Sequence, residues 1–186
     1  MIDIEQFNSG NRICAFIRHG EKDVEKFSLT DIGRKNVINF SKLLLALQKP
    51  ILIYTSPEDR CIETATIVSS TIGNNKYDYI TSNYLGKPGI QVKNEIEYAK
   101  LTNLMKCREI FAEWKTGMHY DAMYNPTTIR TKILDFFTCT SINNGITLYI
   151  SQSGTIACTG YSLGLVDYMV SDREWVDYLD GYILRL

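Results

Sequence analysis

Three short stretches of the 186-residue chain carry side chains suited to holding an anion and reacting with it. They are Arg18-His19-Gly20-Glu21, Thr55-Ser56-Pro57 leading to Arg60, and Ser151-Gln152-Ser153-Gly154. Two guanidiniums, Arg18 and Arg60, offer planar, forked N–H donors that match phosphate oxygens. Helix starts at Ser56 and at Ser153-Gly154 would add backbone N–H groups and a favourable dipole. His19, an imidazole among such donors, is either a phosphate ligand or the nucleophile that accepts a phosphoryl group. A single arginine at a strand end is commonly a surface ion pair, and a single loop histidine commonly does no chemistry. Three such residues at convergent positions read as a site.

Each stretch follows a short apolar run rich in β-branched or aromatic residues: Ile13 to Ile17, Ile51 to Tyr54, and Ile146 to Ile150. Continuous rather than alternating hydrophobicity marks strands buried on both faces. Helical patterns lie between them. Thr30-Asp31 opens a helix with apolar positions Ile32, Val37, Phe40, Leu44 and Leu47. Ser56 as N-cap, Pro57 at the first helical position and an acid at the third start a second. Glu95 to Trp114 and Thr127 to Phe137 read as two more helices, Thr155 to Val170 as another, and Tyr182 to Leu186 as a closing strand. Strands alternating with helices predict a three-layer α/β/α sandwich with a mainly parallel central sheet. In such sheets ligands bind beyond the carboxyl ends of the strands, which is where the three stretches fall.

The length suits one domain spanning residues 1–186. With 45% hydrophobic and 22% charged residues, the composition is that of an ordinary globular protein. Twenty basic and 21 acidic side chains leave no basic excess to neutralise a nucleic-acid backbone, so no nucleic-acid partner is expected. The longest aliphatic run, Leu43 to Leu47, is far short of the ~20 residues of a membrane span. The first residues lack the pattern of a signal peptide. Five scattered cysteines form no CxxC pair, which predicts reduced thiols in a cytoplasmic protein and no zinc site. No His or carboxylate cluster has metal-ligand spacing, and no cofactor is expected. Only two histidines occur, His19 and His119.

At these motifs the sequence resembles the histidine phosphatase superfamily, in its phosphoglycerate-mutase-like branch. Phe16-Ile17-Arg18-His19-Gly20-Glu21-Lys22 matches its RHG signature, and Leu29-Thr30-Asp31-Ile32-Gly33-Arg34 is similar to its LTxxGR helix start. The segment from Tyr54 to Ala65 matches SSPxxRxxQTA. Leu85-Gly86-Lys87-Pro88-Gly89 and the stretch from Trp175 to Gly181 are similar to segments of a subgroup. The resemblance implies a phosphoglycerate-mutase-like fold, His19 as the nucleophile that becomes phosphohistidine, and Arg18 and Arg60 as holders of the phosphoryl oxygens. It also implies a second histidine after the late strand and an acid before the middle helices. Here Gln152 stands at the first of these positions and Lys87 at the second.

Gln152 can donate an amide N–H to a phosphoryl oxygen but brings no charge. Lys87 beside a phosphate would hold its proton and serve poorly as an acid or base. Glu21, Glu95, Glu97 and His119 are the other candidates for that chemistry, with Glu21, Ser153 and His119 as substrate-binding residues; Tyr120 and Tyr124 would shape the pocket. The expected partner is a small phosphorylated or anionic metabolite. Three activities stay open: phosphoryl transfer to His19 and hydrolysis, favouring good leaving groups such as acyl phosphates or phosphoramidates; a catalytically inactive phosphate-binding or regulatory protein; and a different chemistry that uses the same anion pocket. Nothing in the sequence specifies an oligomeric state.

Overall fold

The computed structural model describes residues 4–7, 10–23, 25–73, 78–169 and 175–186. The apolar runs form β1 (Arg12–Arg18), β2 (Ile51–Thr55) and β4 (Gly145–Ser151), with a two-residue β3 (Ile80–Thr81) and a terminal β5 (Gly181–Arg185). They make one sheet in the order β3-β2-β4-β1-β5. All neighbours are parallel except β5, which runs antiparallel to β1. The helices are α1 (Asp31–Ala46), α2 (Asp59–Thr71), α3 (Glu95–Leu104), α4 (Cys107–Lys115), α5 (Pro126–Thr140) and α6 (Ser153–Ser162).

Alternation along the strands feeds two cores. Ile13, Ala15, Ile17, Ile53, Ile146, Leu148 and Ile150 pack on α1 and α2 through Val37, Phe40, Leu44, Cys61, Ala65 and Val68. Cys14, Phe16 and Tyr149 face the other way and meet Phe111, Trp114, Ile133, Phe137 and Ile156 of α4, α5 and α6. There Phe137 and Tyr149 lie 4.7 Å apart between ring centroids, with Phe16 edge-on to both. The chain is thus the three-layer α/β/α sandwich with a mainly parallel sheet.

Local signals place most boundaries. Thr30 caps α1 by accepting from Gly33 N–H at 2.9 Å, and Asn125 caps α5 through Thr128 N–H. Three expectations are corrected. Ser56 is not the cap of α2: its own N–H still bonds Ile150 O, so the helix starts two residues later with Glu58 at the cap position. Glu95 to Trp114 is two helices, because Met105 is extended and Glu109 accepts from Lys106 N–H to begin α4 afresh. The break lets Ile110, Phe111 and Trp114 turn into the core while α3 buries no residue fully. The expected helix from Thr155 starts at Ser153 and stops at Ser162, where Gly164 enters the left-handed region with φ +71°. Val170, its expected end, lies outside the described residues.

Candidate active site

Strand register brings the three stretches together. Arg18 pairs with Ser151 and Thr55 with Ile150, so β1, β4 and β2 end side by side at a spacing of about 4.8 Å. His19 N–H continues to Ser151 O at 3.1 Å, and Ser56 N–H to Ile150 O at 2.9 Å. The residues that follow, His19, Gln152 and Ser56, therefore emerge at one edge of the sheet.

His19 is only 2% exposed. Its Nδ1 lies 2.7 Å from Gly20 O, a carbonyl that can only accept, so Nδ1 carries the proton. Nε2 is then the free base, and it accepts from Arg60 Nε–H at 3.1 Å. Burial, with Arg18, Arg60 and Lys22 nearby, pushes the ring pKa down to about 3. Neutral imidazole is thus the form present near pH 7. The glycine after it is required: a side chain at Gly20 would meet Val37 Cγ2 at 2.7 Å.

The two arginines are held differently. Arg18 donates from Nη1 to Val176 O at 2.6 Å and stacks its guanidinium 4.0 Å from the centre of the Tyr178 ring, which also lies beside His19. Burial lowers its pKa. Its Nε is a buried donor without a partner among the described residues. Arg60, in the first turn of α2, donates from Nη1 to Glu58 Oε2 at 3.0 Å while its Nε holds His19.

Gln152, Ser153 and Lys87 come together at a neighbouring cavity of about 210 Å³, along with Glu58, Gln91 and Tyr98. Gln152 occupies the cap position of α6 without capping it. The first N–H groups of this helix have no intrahelical acceptor, and Ser153, Gly154 and Thr155 of its first turn line the cavity. Gly86 presses on this wall; a side chain there would meet Gln152 Nε2 at 2.8 Å. Ser151 Oγ donates to Leu85 O and so ties the Gly86-Lys87 loop to the end of β4. Lys87 is 64% exposed and its Nζ lies 3.4 Å from Glu58 Oε1.

Other expected site residues lie elsewhere. Glu21 lines a separate cavity with Asn36, Asp177 and Tyr178. His119 is paired through Nε2 with Glu113 at 2.6 Å and does not line the Gln152 cavity. Glu95 and Glu97 sit in the first turn of α3, where Glu97 pairs with Lys100. Tyr124 O accepts from Trp114 Nε1–H, a packing role. Sequence reasoning passed over Glu58, read only as part of a helix start. Its signal was a carboxylate two residues before Arg60. Gln91, buried with its Oε1 unpartnered among the described residues, gave no signal at all.

No family model and no curated protein sequence matches the chain. Solved structures do match its fold. A mycobacterial glucosyl-3-phosphoglycerate phosphatase is similar at 15% identity and a TM-score of 0.54, over 82% of this chain and 79% of that one. The same phosphatase in complex with inorganic phosphate matches at 14% identity and 0.53, over 82% and 78%. Phosphoglycerate mutase from Bacillus anthracis strain Sterne matches at 14% identity and 0.54, over 96% of this chain and 90% of that one. The chain has a phosphoglycerate-mutase-like fold. No helix among the described residues is long and apolar enough to cross a membrane.

Proposed function

We propose that residues 1–186 act as one domain that transfers a phosphoryl group from a small phosphorylated metabolite to His19 and hydrolyses the product. The observation that carries this is the state of His19: proton fixed on Nδ1 by Gly20 O, ring neutral, and Nε2 directed at Arg60. Nε2 attacks phosphorus. The phosphoryl oxygens take N–H donors from Arg60, from Arg18 Nε, which has no partner among the described residues, and from Gln152 with the start of α6. Ser153 lines the same wall. Of the solved neighbours, the phosphatase complexed with inorganic phosphate supports an anionic ligand of this size. Five unpaired cysteines fit a reducing, cytoplasmic setting.

Gln152 favours one second reading, binding without turnover, because an amide neither gives nor takes a proton near neutral pH. One experiment separates them. The protein is incubated with acyl phosphates, phosphoramidates and phosphomonoesters, then assayed for released orthophosphate and for acid-labile phosphate on His19. Turnover with phosphohistidine, both lost in His19→Ala, is expected. Orthophosphate binding that Arg60→Ala weakens, with neither phosphohistidine nor turnover, would leave the binding protein.

A further inference from the structure

We infer that Glu58 is the proton carrier of this site, a role that rests on the phosphoryl-transfer reading above. Moving a phosphoryl group from an alkyl ester to His19 leaves an alkoxide, which departs poorly unless a proton reaches it. The water that later attacks phosphohistidine must lose one. Gln152 does neither, and Glu21 and His119 do not line the cavity.

Glu58 has the required position. It is the one carboxylate among the described residues that line the cavity shared by Gly86, Lys87 and Gln152. Its side chain is 15% exposed, and its two oxygens are shared between two cations: Oε2 with Arg60 Nη1 at 3.0 Å and Oε1 with Lys87 Nζ at 3.4 Å. The carboxylate thus joins the guanidinium that grips the phosphoryl group to the space that receives the leaving group. Lys87 acts as a positioning residue, fixing one oxygen from the cavity side. An arriving phosphoryl dianion draws Arg60 to itself and frees the other oxygen. It also places negative charge beside Glu58 where a cation stood.

The steps balance. With the ester bound, the freed Glu58 oxygen takes a proton from solvent. As the bond from His19 Nε2 to phosphorus forms and the bond to the ester oxygen breaks, Glu58 passes that proton to the ester oxygen, and the alcohol leaves. Water then attacks phosphorus and gives a proton to the Glu58 carboxylate. The phosphorus–nitrogen bond breaks, its electron pair returns to Nε2, and orthophosphate departs with Glu58 protonated again.

The test compares wild type and Glu58→Gln on p-nitrophenyl phosphate, whose leaving group needs no proton, and on glycerol phosphate, whose leaving group does. Phosphohistidine formation from glycerol phosphate is expected to fall about 10²- to 10⁴-fold in the variant. From the aryl ester it is expected to fall by less than about tenfold, with a stoichiometric burst of nitrophenol and slow release of orthophosphate, since the water step has lost its base. Glu58→Asp is expected to recover part of the alkyl activity. An equal fall on both esters with no burst would mean that Glu58 only orients Arg60, and the assignment would be overturned. Wild type that forms no phosphohistidine from the aryl ester would overturn the phosphoryl-transfer reading itself, and the role of Glu58 with it.

Discussion

Arg60 donates its Nε–H to His19 Nε2 at 3.1 Å, so the nitrogen suited to accept a phosphoryl group is already held by the arginine suited to bind one. On the proposed reading, ligand binding exchanges partners rather than creating donors from nothing. Arg60 leaves a neutral imidazole for an anionic oxygen, a stronger acceptor. The exchange exposes a lone pair on an imidazole that burial has already kept free of protons.

This pairing predicts the effect of removing the guanidinium. Arg60→Ala is expected to weaken orthophosphate binding about ten- to hundredfold, the worth of a hydrogen bond to a charged group. Arg60→Lys is expected to restore only part of it, because an ammonium lacks the planar fork that can hold two phosphoryl oxygens at once. Titration calorimetry with inorganic phosphate reads both, and unchanged affinity in Arg60→Ala would remove Arg60 from the anion site.

Burial of His19 also makes stability depend on pH. The folded ring titrates at about 3, depressed chiefly by desolvation, and the unfolded ring near the ordinary ~6.5. Between those values the unfolded chain binds a proton that the folded chain does not. Stability from this group is therefore full above pH ~6.5 and falls by about 1.4 kcal/mol per pH unit down to pH ~3. Urea unfolding between pH 7 and 4 should show this slope, and His19→Asn should reduce it by about one proton. An identical slope in the variant would show that His19 titrates alike in both states.

Gln152 sits at the start of α6 on the cavity wall, so Gln152→His places a second imidazole on that wall. Hydrolysis of an alkyl phosphate is expected to rise about tenfold or more, at the lower end of what general acid–base help supplies. Steady-state rates on glycerol phosphate measure it. No gain would mean that proton transfer does not limit the reaction.

Gly86 is packed where only a hydrogen fits. Gly86→Ala brings a methyl to within 2.8 Å of Gln152 Nε2, and also against Ser56 Oγ. The overpacking is expected to cost about 1–3 kcal/mol and to weaken orthophosphate binding as Gln152 moves. Thermal melting with and without phosphate checks this, and a variant equal to wild type in both would mean that the loop gives way freely.

Much of the scaffold was legible because its signals are local. Ile13 to Ile17, Ile51 to Tyr54 and Ile146 to Ile150 are continuous apolar runs, and such runs form central strands wherever helices cover both faces. Thr30 and Asn125 cap helices through atoms three residues away. The break between α3 and α4 was hidden, since Met105 and Lys106 carry no Pro or Gly and the turn follows from where Trp114 must pack. Ser56 misled for a similar reason: its N–H serves β4, an element almost a hundred residues away in the chain.

The site divides along the same line. The residue types alone led to the reading of Arg18, His19 and Arg60 as an anion pocket with a nucleophile, with Gln152 and Lys87 at the two places where the resemblance implies a second histidine and an acid. Each follows a strand, and strand ends converge in a parallel sheet. Only the tertiary structure decided that Lys87 carries a carboxylate with it, that His119 is spent on Glu113, and that Glu58 faces the cavity. Those are contacts of side chains across separate elements. They depend on strand register and on the path of the Gly86-Lys87 loop, which the periodicity of a single segment does not encode.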